Sequence, residues 1–217
     1  MAENEVQSVQ HARLLGLKII NILSWKEHIK EVCTELNQRV GVLKRLRYEF
    51  SKNNLKMLAD GLVLSKILYG ISIYSQTRLQ ANDPPIGLIH KLQVIQNKAM
   101  RIVLRKKRLD KIPIKDLLEE MGWLSVNQLT CKNIVTDVWK TLDKGPEYTR
   151  QELVGATPNK TTRSTQRNDL KKQDPGPSFM SQAPYLWNSK LFQHIRNVDT
   201  LSHVKRDIRK ALAQVPV

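Results

Sequence analysis

The sequence has few of the residues that bind metals, and it lacks the common catalytic motifs. It contains two cysteines and five scattered histidines, with no C-x-x-C or H-x-x-x-H pair, so no zinc site is predicted. Walker, G-x-G-x-x-G and G-x-S-x-G motifs are also absent. No two acidic residues pair at a strand turn, as two-metal nucleotidyl transfer would require. We therefore expect this chain to be non-catalytic by itself, with no cofactor, and Cys33 and Cys131 to be buried free thiols.

Aromatic residues and long hydrophobic runs are also scarce. Aromatics make up 6% of the chain, so a platform for stacking nucleic-acid bases is not evident. The best apolar run, GLVLSKILYGISIY at 61–74, contains Lys66 and is shorter than the ~20 residues of a membrane-spanning helix. The first ten residues are polar and include acids, unlike a signal peptide. We expect an intracellular chain with no membrane partner, and the sequence does not distinguish nucleus from cytoplasm.

Positive charge is abundant. Lys and Arg number 36 against 20 Asp and Glu, which gives a formal net charge of +16 and a pI near 10. A surplus of this size favours a polyanionic partner, with nucleic acid before membrane.

The pattern of apolar residues predicts a mainly α protein. Apolar periodicity places helices near 24–47, 51–74, 86–107, 125–143, 184–196 and 199–213. A Ser-x-x-Glu capping box at Ser24 and Glu27 predicts the start of the first helix, and Ser51 and Ser125 are predicted caps of the second and fourth. Residues 14–20 resemble one short strand without a partner, which would leave its edges unpaired. A polar, Pro-containing stretch at 155–178 cannot bury enough apolar surface to order itself. The predicted organisation is a disordered N-terminus (1–13), a helical domain (14–146), a linker (147–180) and a C-terminal helical tail with a pair of helices (181–217).

The stretch from Leu88 to Arg108 carries two different faces if it is helical. Leu92, Ile95 and Ala99 recur on an apolar face, and basic residues fall on a second face roughly 120° away. Such a basic face could contact an acidic partner or be only solvated surface. A second basic group ends the helix predicted at 24–47, where it could bind a ligand or cap the negative end of the helix dipole. The candidate nucleic-acid-binding residues are Lys98, Arg101, Arg105, Lys106 and Arg108, with Lys44, Arg45 and Arg47.

Five segments in a fixed order carry a family resemblance. They are LLGLKIINILSWKEHI (14–29), SKILYGISIY (65–74), LQVIQNKAMRIVL (92–104), LLEEMGWLSV (117–126) and YLWNSKLFQHIRNVDTLSHVKRDIRKAL (185–212). Together they resemble the region after the polymerase palm in non-LTR (LINE-type, jockey-like) retrotransposon reverse transcriptases. This chain departs from that family in having WNSKL at 187–191 instead of W-N-x-L-P. It also lacks the Cys/His knuckle that some relatives carry.

The resemblance implies a thumb and tail without the catalytic palm. In that family the LGL-type strand closes the palm, and the following helices form a thumb that grips the template–primer duplex by its backbone. The catalytic aspartates of the family lie upstream, and no residue here matches them. The expected partners are an RNA or DNA duplex and a palm domain that is not in this chain. RNA or DNA preference, element lineage and the true start of the protein stay open.

A different class of function is also compatible with the sequence. The chain could be a helical protein-interaction module, or a relic with no selected activity. It would then expose apolar surface around Leu14, Leu15, Leu17 and Ile19, and self-associate through its N-terminal strand.

Overall fold

The computed structural model describes residues 10–20, 24–75, 88–154, 169–171 and 178–215. Helices dominate these residues, which confirms the predicted mainly α class. The strands are β1 (His11–Leu14) and β2 (Leu17–Ile20). The helices are α1 (Lys26–Leu46), α2 (Lys52–Ala59), α3 (Ser65–Leu68), α4 (Ile71–Tyr74), α5 (Leu88–Val103), α6 (Ile114–Met121), α7 (Val126–Lys144), α8 (Glu147–Val154), α9 (Phe179–Trp187) and α10 (Leu201–Ala213). A π-helical turn covers Asp60–Leu64, and 3-10 segments cover Arg108–Asp110 and Lys190–Asn197.

The N-terminal strand is half of a hairpin, so the prediction of one unpaired strand at 14–20 is wrong. β1 pairs antiparallel with β2 from His11–Ile20 to Leu14–Leu17. Leu15 and Gly16 reverse the chain with φ values of 48° and 77°, as the primed two-residue turns of hairpins require. Residues 11–13 are therefore strand rather than disordered, and residues 1–9 lie outside the described residues. Because β2 has a local partner, this segment no longer indicates a missing sheet.

Helix α1 begins later than its sequence signal suggested. The residue at its N-cap is Trp25, which makes no side-chain cap hydrogen bond. Glu27 accepts a hydrogen bond from Lys30 Nζ at 2.8 Å, so the predicted Ser24–Glu27 capping box is wrong. Ser24 lies one residue before the cap, and the spacing to Glu27 therefore does not match the motif. The hairpin contacts α1 where Lys18 N donates to His28 Nδ1, and burial lowers the pKa of the His28 imidazole.

The helix predicted at 51–74 is interrupted. Ser51 caps it as predicted, with Asn54 N donating to Ser51 Oγ at 3.3 Å. The chain then passes from α2 through the π-helical turn into α3, and it breaks at Gly70, whose φ is +67°. This positive φ lets α4 start in a new direction. The break brings Gly70 against the buried Leu17 of the hairpin.

Replacing Gly70 with alanine is expected to lower the free energy of unfolding by about 1–3 kcal/mol. The new Cβ would adopt an unfavourable φ and would lie 2.9 Å from Leu17 Cδ2, so both backbone strain and overpacking contribute. Urea unfolding followed by circular dichroism measures the change. Gly61→Ala is the control, because its Cβ meets nothing within 4 Å and alanine favours helix. Equal stability of the two variants would contradict the role assigned to Gly70.

Two hydrophobic cores share α7. The first core lies among α1 to α6 and includes the fully buried Leu36, Leu43 and Leu92. The second core is formed by α7, α9, the 190–197 segment and α10, around Phe192 and Ile195. The tail helices therefore pack directly on α7. Cys33 and Cys131 are buried as predicted, one in each core, and neither forms a disulfide.

The segment predicted as a linker contains ordered parts. Residues 147–154 form α8, and 169–171 return to the second core through the buried Leu170. Asn188 makes two hydrogen bonds with the Leu170 backbone, accepting from its N at 2.8 Å and donating to its O at 2.9 Å. The linker prediction is wrong for these residues because Leu153 and Leu170 are both buried in the second core. Residues 155–168 and 172–177 lie outside the described residues.

The tail also differs from the single helix predicted at 184–196. Helix α9 ends at Trp187, and a 3-10 segment follows from Lys190 after the break at Asn188 and Ser189. Asn188 is the C-cap of α9, and its side chain hydrogen-bonds the Leu170 backbone at the point where the helix ends.

Candidate nucleic-acid interface

Helix α5 has the two faces that its sequence predicts. Leu92, Ile95 and Ala99 are buried against the first core, and Lys91 and Lys98 are exposed. Helix α5 packs more extensively against α1 than against any other element. The basic face of α5 therefore lies on the surface.

The helix ends at Val103, four residues before the predicted end. Lys106 N donates to Arg101 O at 2.9 Å, and Arg105 N donates to Ile102 O at 3.2 Å. These are the hydrogen bonds of a Schellman motif, and Arg105 takes the left-handed position with φ of 56°. Arg105, Lys106 and Arg108 consequently lie beyond the helix rather than on its basic face. No residue type marks this end in the sequence, since glycine usually occupies that position.

Arg105 connects the ends of α5 and α1. Its Nη2 donates to Phe50 O at 3.0 Å and to Arg47 O at 3.4 Å. These carbonyls follow the last turn of α1, where helix carbonyls have no helical partner. Arg105 therefore has a structural role, and it places the C-terminal ends of α1 and α5 side by side.

Arg101 and Arg47 are also engaged within the fold. Arg101 is half-buried, and its Nη2 donates to Ile112 O at 3.3 Å, which ties the 104–112 segment to α5. The Arg47 guanidinium lies 5.4 Å from the Tyr48 ring centre, within the range of cation–π contacts. For Arg47, Arg101 and Arg105 the capping and packing interpretation is therefore the better one.

The other predicted cations are available to a ligand. Lys44, Arg45, Lys98 and Arg108 are exposed, and Lys106 is half-buried. Within the described part of the chain, no carboxylate forms an ion pair with any of them. Lys44 and Arg45 lie in the last turn of α1, and Arg108 lies just after α5. We name Lys44, Arg45, Lys98 and Arg108 the α1–α5 basic surface.

The surface expected for self-association is smaller than the sequence suggested. Leu14 and Leu15 are 61% and 81% exposed at the hairpin turn, whereas Leu17 is buried and Ile19 is half-buried. Tyr69, itself 55% exposed, donates its hydroxyl to Leu15 O at 2.6 Å. Within the hairpin, the strongly exposed large apolar side chains are therefore those at the turn.

Sequence reasoning missed two polar groupings that need tertiary structure. One is a set of buried glutamines that joins α5, α7 and the C-terminus. The other is a basic cluster formed by Lys132 of α7 with Lys205 and Arg209 of α10. No motif marks either, because their members come from distant parts of the chain.

Among the described residues, no helix is both long and apolar enough to cross a membrane, and no three His, Cys, Asp or Glu side chains are grouped as metal ligands. No protein-family model, curated protein or solved structure matches the chain.

Proposed function

We propose that this chain is the thumb and tail of an RNA-directed DNA polymerase of the non-LTR retrotransposon kind, without the catalytic palm, and that it binds a template–primer duplex by its backbone. The observation that carries the proposal is the α1–α5 basic surface. Its cations are exposed and lack carboxylate partners in the described residues. The ordered resemblance of five segments and the net charge of +16 support it further. The site of action would be intracellular.

The proposed mechanism is electrostatic. Lys44, Arg45, Lys98 and Arg108 would neutralise phosphates and release condensed counterions, so affinity would fall steeply as salt rises. Contacts of this type position a duplex without reading its sequence. Arg101 and Arg105 would act indirectly by fixing the 104–112 segment and the end of α1. No residue of the chain is assigned a catalytic role, and polymerisation would need carboxylates from a palm domain.

The test is duplex binding by a variant in which all four cations of the α1–α5 basic surface are changed to glutamine. We expect affinity for a labelled RNA–DNA duplex to fall on the order of 10²-fold at ~0.1 M salt, and the slope of log K against log salt to decrease by about 3–4. Fluorescence anisotropy over a salt series measures both. Neither change should depend on duplex sequence.

The matched control removes equal charge elsewhere. Lys26, Lys144, Lys171 and Lys190 are exposed, and each can be changed to glutamine. If the two quadruple variants bind with equal affinity and salt slope, the α1–α5 basic surface is only solvated surface and the proposed function is rejected.

A second candidate function follows from the exposed hairpin turn. Leu14, Leu15 and Tyr69 form an exposed apolar patch at the hairpin turn, which favours a protein-interaction module. Sedimentation at high salt tests it: self-association that disappears in Leu14→Ser/Leu15→Ser would favour this function, and a monomer at all concentrations would count against it.

A further inference from the structure

A second group of cations lies where the two cores meet. Lys132 of α7 is half-buried, and Lys205 and Arg209, one turn apart on α10, are exposed. Gln128, one turn before Lys132, donates to Leu212 O at 2.9 Å, which sets the antiparallel alignment of α7 and α10. Burial, followed by the charges of Arg209 and Lys205, lowers the pKa of the Lys132 ammonium. The three side chains are therefore close enough to repel one another.

Arg209 extends this group to the first core. Its Nη2 donates to Gly122 O at the end of α6. A Cβ placed on Gly122 would lie 3.9 Å from Arg209 Nη2 and 3.7 Å from Lys56 Nζ. The cationic ends of Arg209 and Lys56 therefore flank the same point in space. Lys56, Lys132, Lys205 and Arg209, which we name the Arg209 cluster, come from three helices.

Helix capping explains only part of the Arg209 cluster. The last carbonyls of α6 attract cations, which accounts for Arg209 and Lys56. Within the described ranges, neither Lys132 nor Lys205 has a carbonyl hydrogen bond, and no carboxylate pairs with any member of the cluster. Elsewhere in the fold, comparably placed lysines do have acid partners, as Lys66 has Glu35 at 2.7 Å. Like charges gathered without counter-charges cost free energy that a bound anion would recover.

We propose that the Arg209 cluster binds the phosphates of a nucleic-acid backbone and forms a second contact surface, distinct from the α1–α5 basic surface. The cations are spread over α2, α7 and α10, and two of them are exposed, so the arrangement suits a row of phosphates better than one enclosed anion. Long basic side chains on an open surface contact the backbone and not base edges. The inference takes its ligand class from the proposed function but rests on different residues.

Such binding would join the two cores. Lys56 belongs to a helix of the first core, whereas Lys205 and Arg209 belong to a helix of the second. A nucleic-acid strand bound across the Arg209 cluster would hold the C-terminal helices against α2 and α6. The tail would then bind the nucleic acid directly rather than only follow the thumb-like helices.

The test uses the full chain with Lys132→Gln/Lys205→Gln, which keeps the hydrogen bond of Arg209 to Gly122. Binding of a labelled RNA–DNA duplex is measured over a salt series. We expect about 3- to 10-fold weaker affinity and a salt slope lower by about two. The melting temperature without duplex should be unchanged or higher, because repulsion around Lys132 is relieved. Lys144→Gln/Lys171→Gln removes the same charge elsewhere and is the control.

The outcomes separate this inference from the proposed function. If Lys132→Gln/Lys205→Gln binds like its control, the inference is overturned, whatever the α1–α5 variant does. If only the α1–α5 variant keeps wild-type binding, the proposed site fails and the Arg209 cluster stands. In another outcome, inorganic phosphate raises the melting temperature of the wild-type chain but not that of Lys132→Gln/Lys205→Gln, while duplex affinity is the same for both. The Arg209 cluster then binds a small anion, and the nucleic acid is overturned as its ligand. Absence of any duplex binding by the wild-type chain rejects both proposals.

Discussion

Arg196→Met is expected to lower the free energy of unfolding by about 3–5 kcal/mol. Arg196 Nη1 pairs with Asp169 Oδ1 at 2.6 Å, and the two side chains are only 3% and 13% exposed. Arg196 Nη2 also donates to Trp187 O at 2.7 Å. Removing the guanidinium takes away this close ion pair and the hydrogen bond to Trp187 O, while the cost of desolvating the nearly buried carboxylate remains. Urea unfolding at neutral pH measures the change.

The control for this ion pair is one at the surface. Arg150 Nη2 lies 2.9 Å from Glu147 Oε2, with side chains 40% and 65% exposed, so Arg150→Met should cost at most about 1 kcal/mol. Adding Asp169→Asn to Arg196→Met should recover part of the lost stability, because the cost of desolvating a nearly buried carboxylate is then removed. Similar losses for Arg196→Met and Arg150→Met would contradict the buried-pair argument.

Gln128→Leu is expected to lower the free energy of unfolding by about 2–4 kcal/mol. The buried side chain of Gln128 accepts from Ser125 N at 3.0 Å and donates to Leu212 O at 2.9 Å. Leucine fills a similar volume but leaves both backbone groups without these partners. Because one end of the bridge is the cap of α7 and the other is the end of α10, hydrogen exchange should increase at both places.

An exposed glutamine provides the comparison. Gln151 Nε2 donates to Glu147 Oε1 at 3.1 Å on the surface of α8, so Gln151→Leu should change stability by less than ~0.5 kcal/mol. If Gln128→Leu unfolds like Gln151→Leu, the glutamine does not hold α10 on α7.

Features that depend on neighbouring residues were predicted well. Apolar periodicity located α1, α5, α7 and α10 to within a few residues, because a buried helical face needs apolar residues every three or four positions. Ser51 and Ser125 start α2 and α7 as predicted, and Ser125 forms a capping box with Gln128. The exposure of Lys98 followed from the same periodicity.

Features that depend on a distant partner were not predictable from local pattern. The hairpin turn uses a leucine at positive φ, and the end of α5 uses an arginine there. Neither leucine nor arginine is a residue type that favours positive φ. At the end of α5, Arg105 also donates hydrogen bonds to the carbonyls of Arg47 and Phe50. Contacts of this kind separate the predicted basic residues into two groups. The guanidiniums of Arg101 and Arg105 hydrogen-bond backbone carbonyls, whereas the α1–α5 basic surface remains exposed.

By itself, the sequence determined the helical class, the positions of most helices and the large positive charge, because these depend on residue type and short-range spacing. Only the tertiary structure decided which of the predicted cations remain exposed, that α7 packs in both cores, and that Leu170 is buried in the second core. It also decided that Arg209 stands beside Lys56 and Lys132. Each of these features depends on contacts between side chains that are distant in the sequence. The interaction energy of such a pair is set by the distance between the two groups and by their burial, not by the sequence neighbours of either residue.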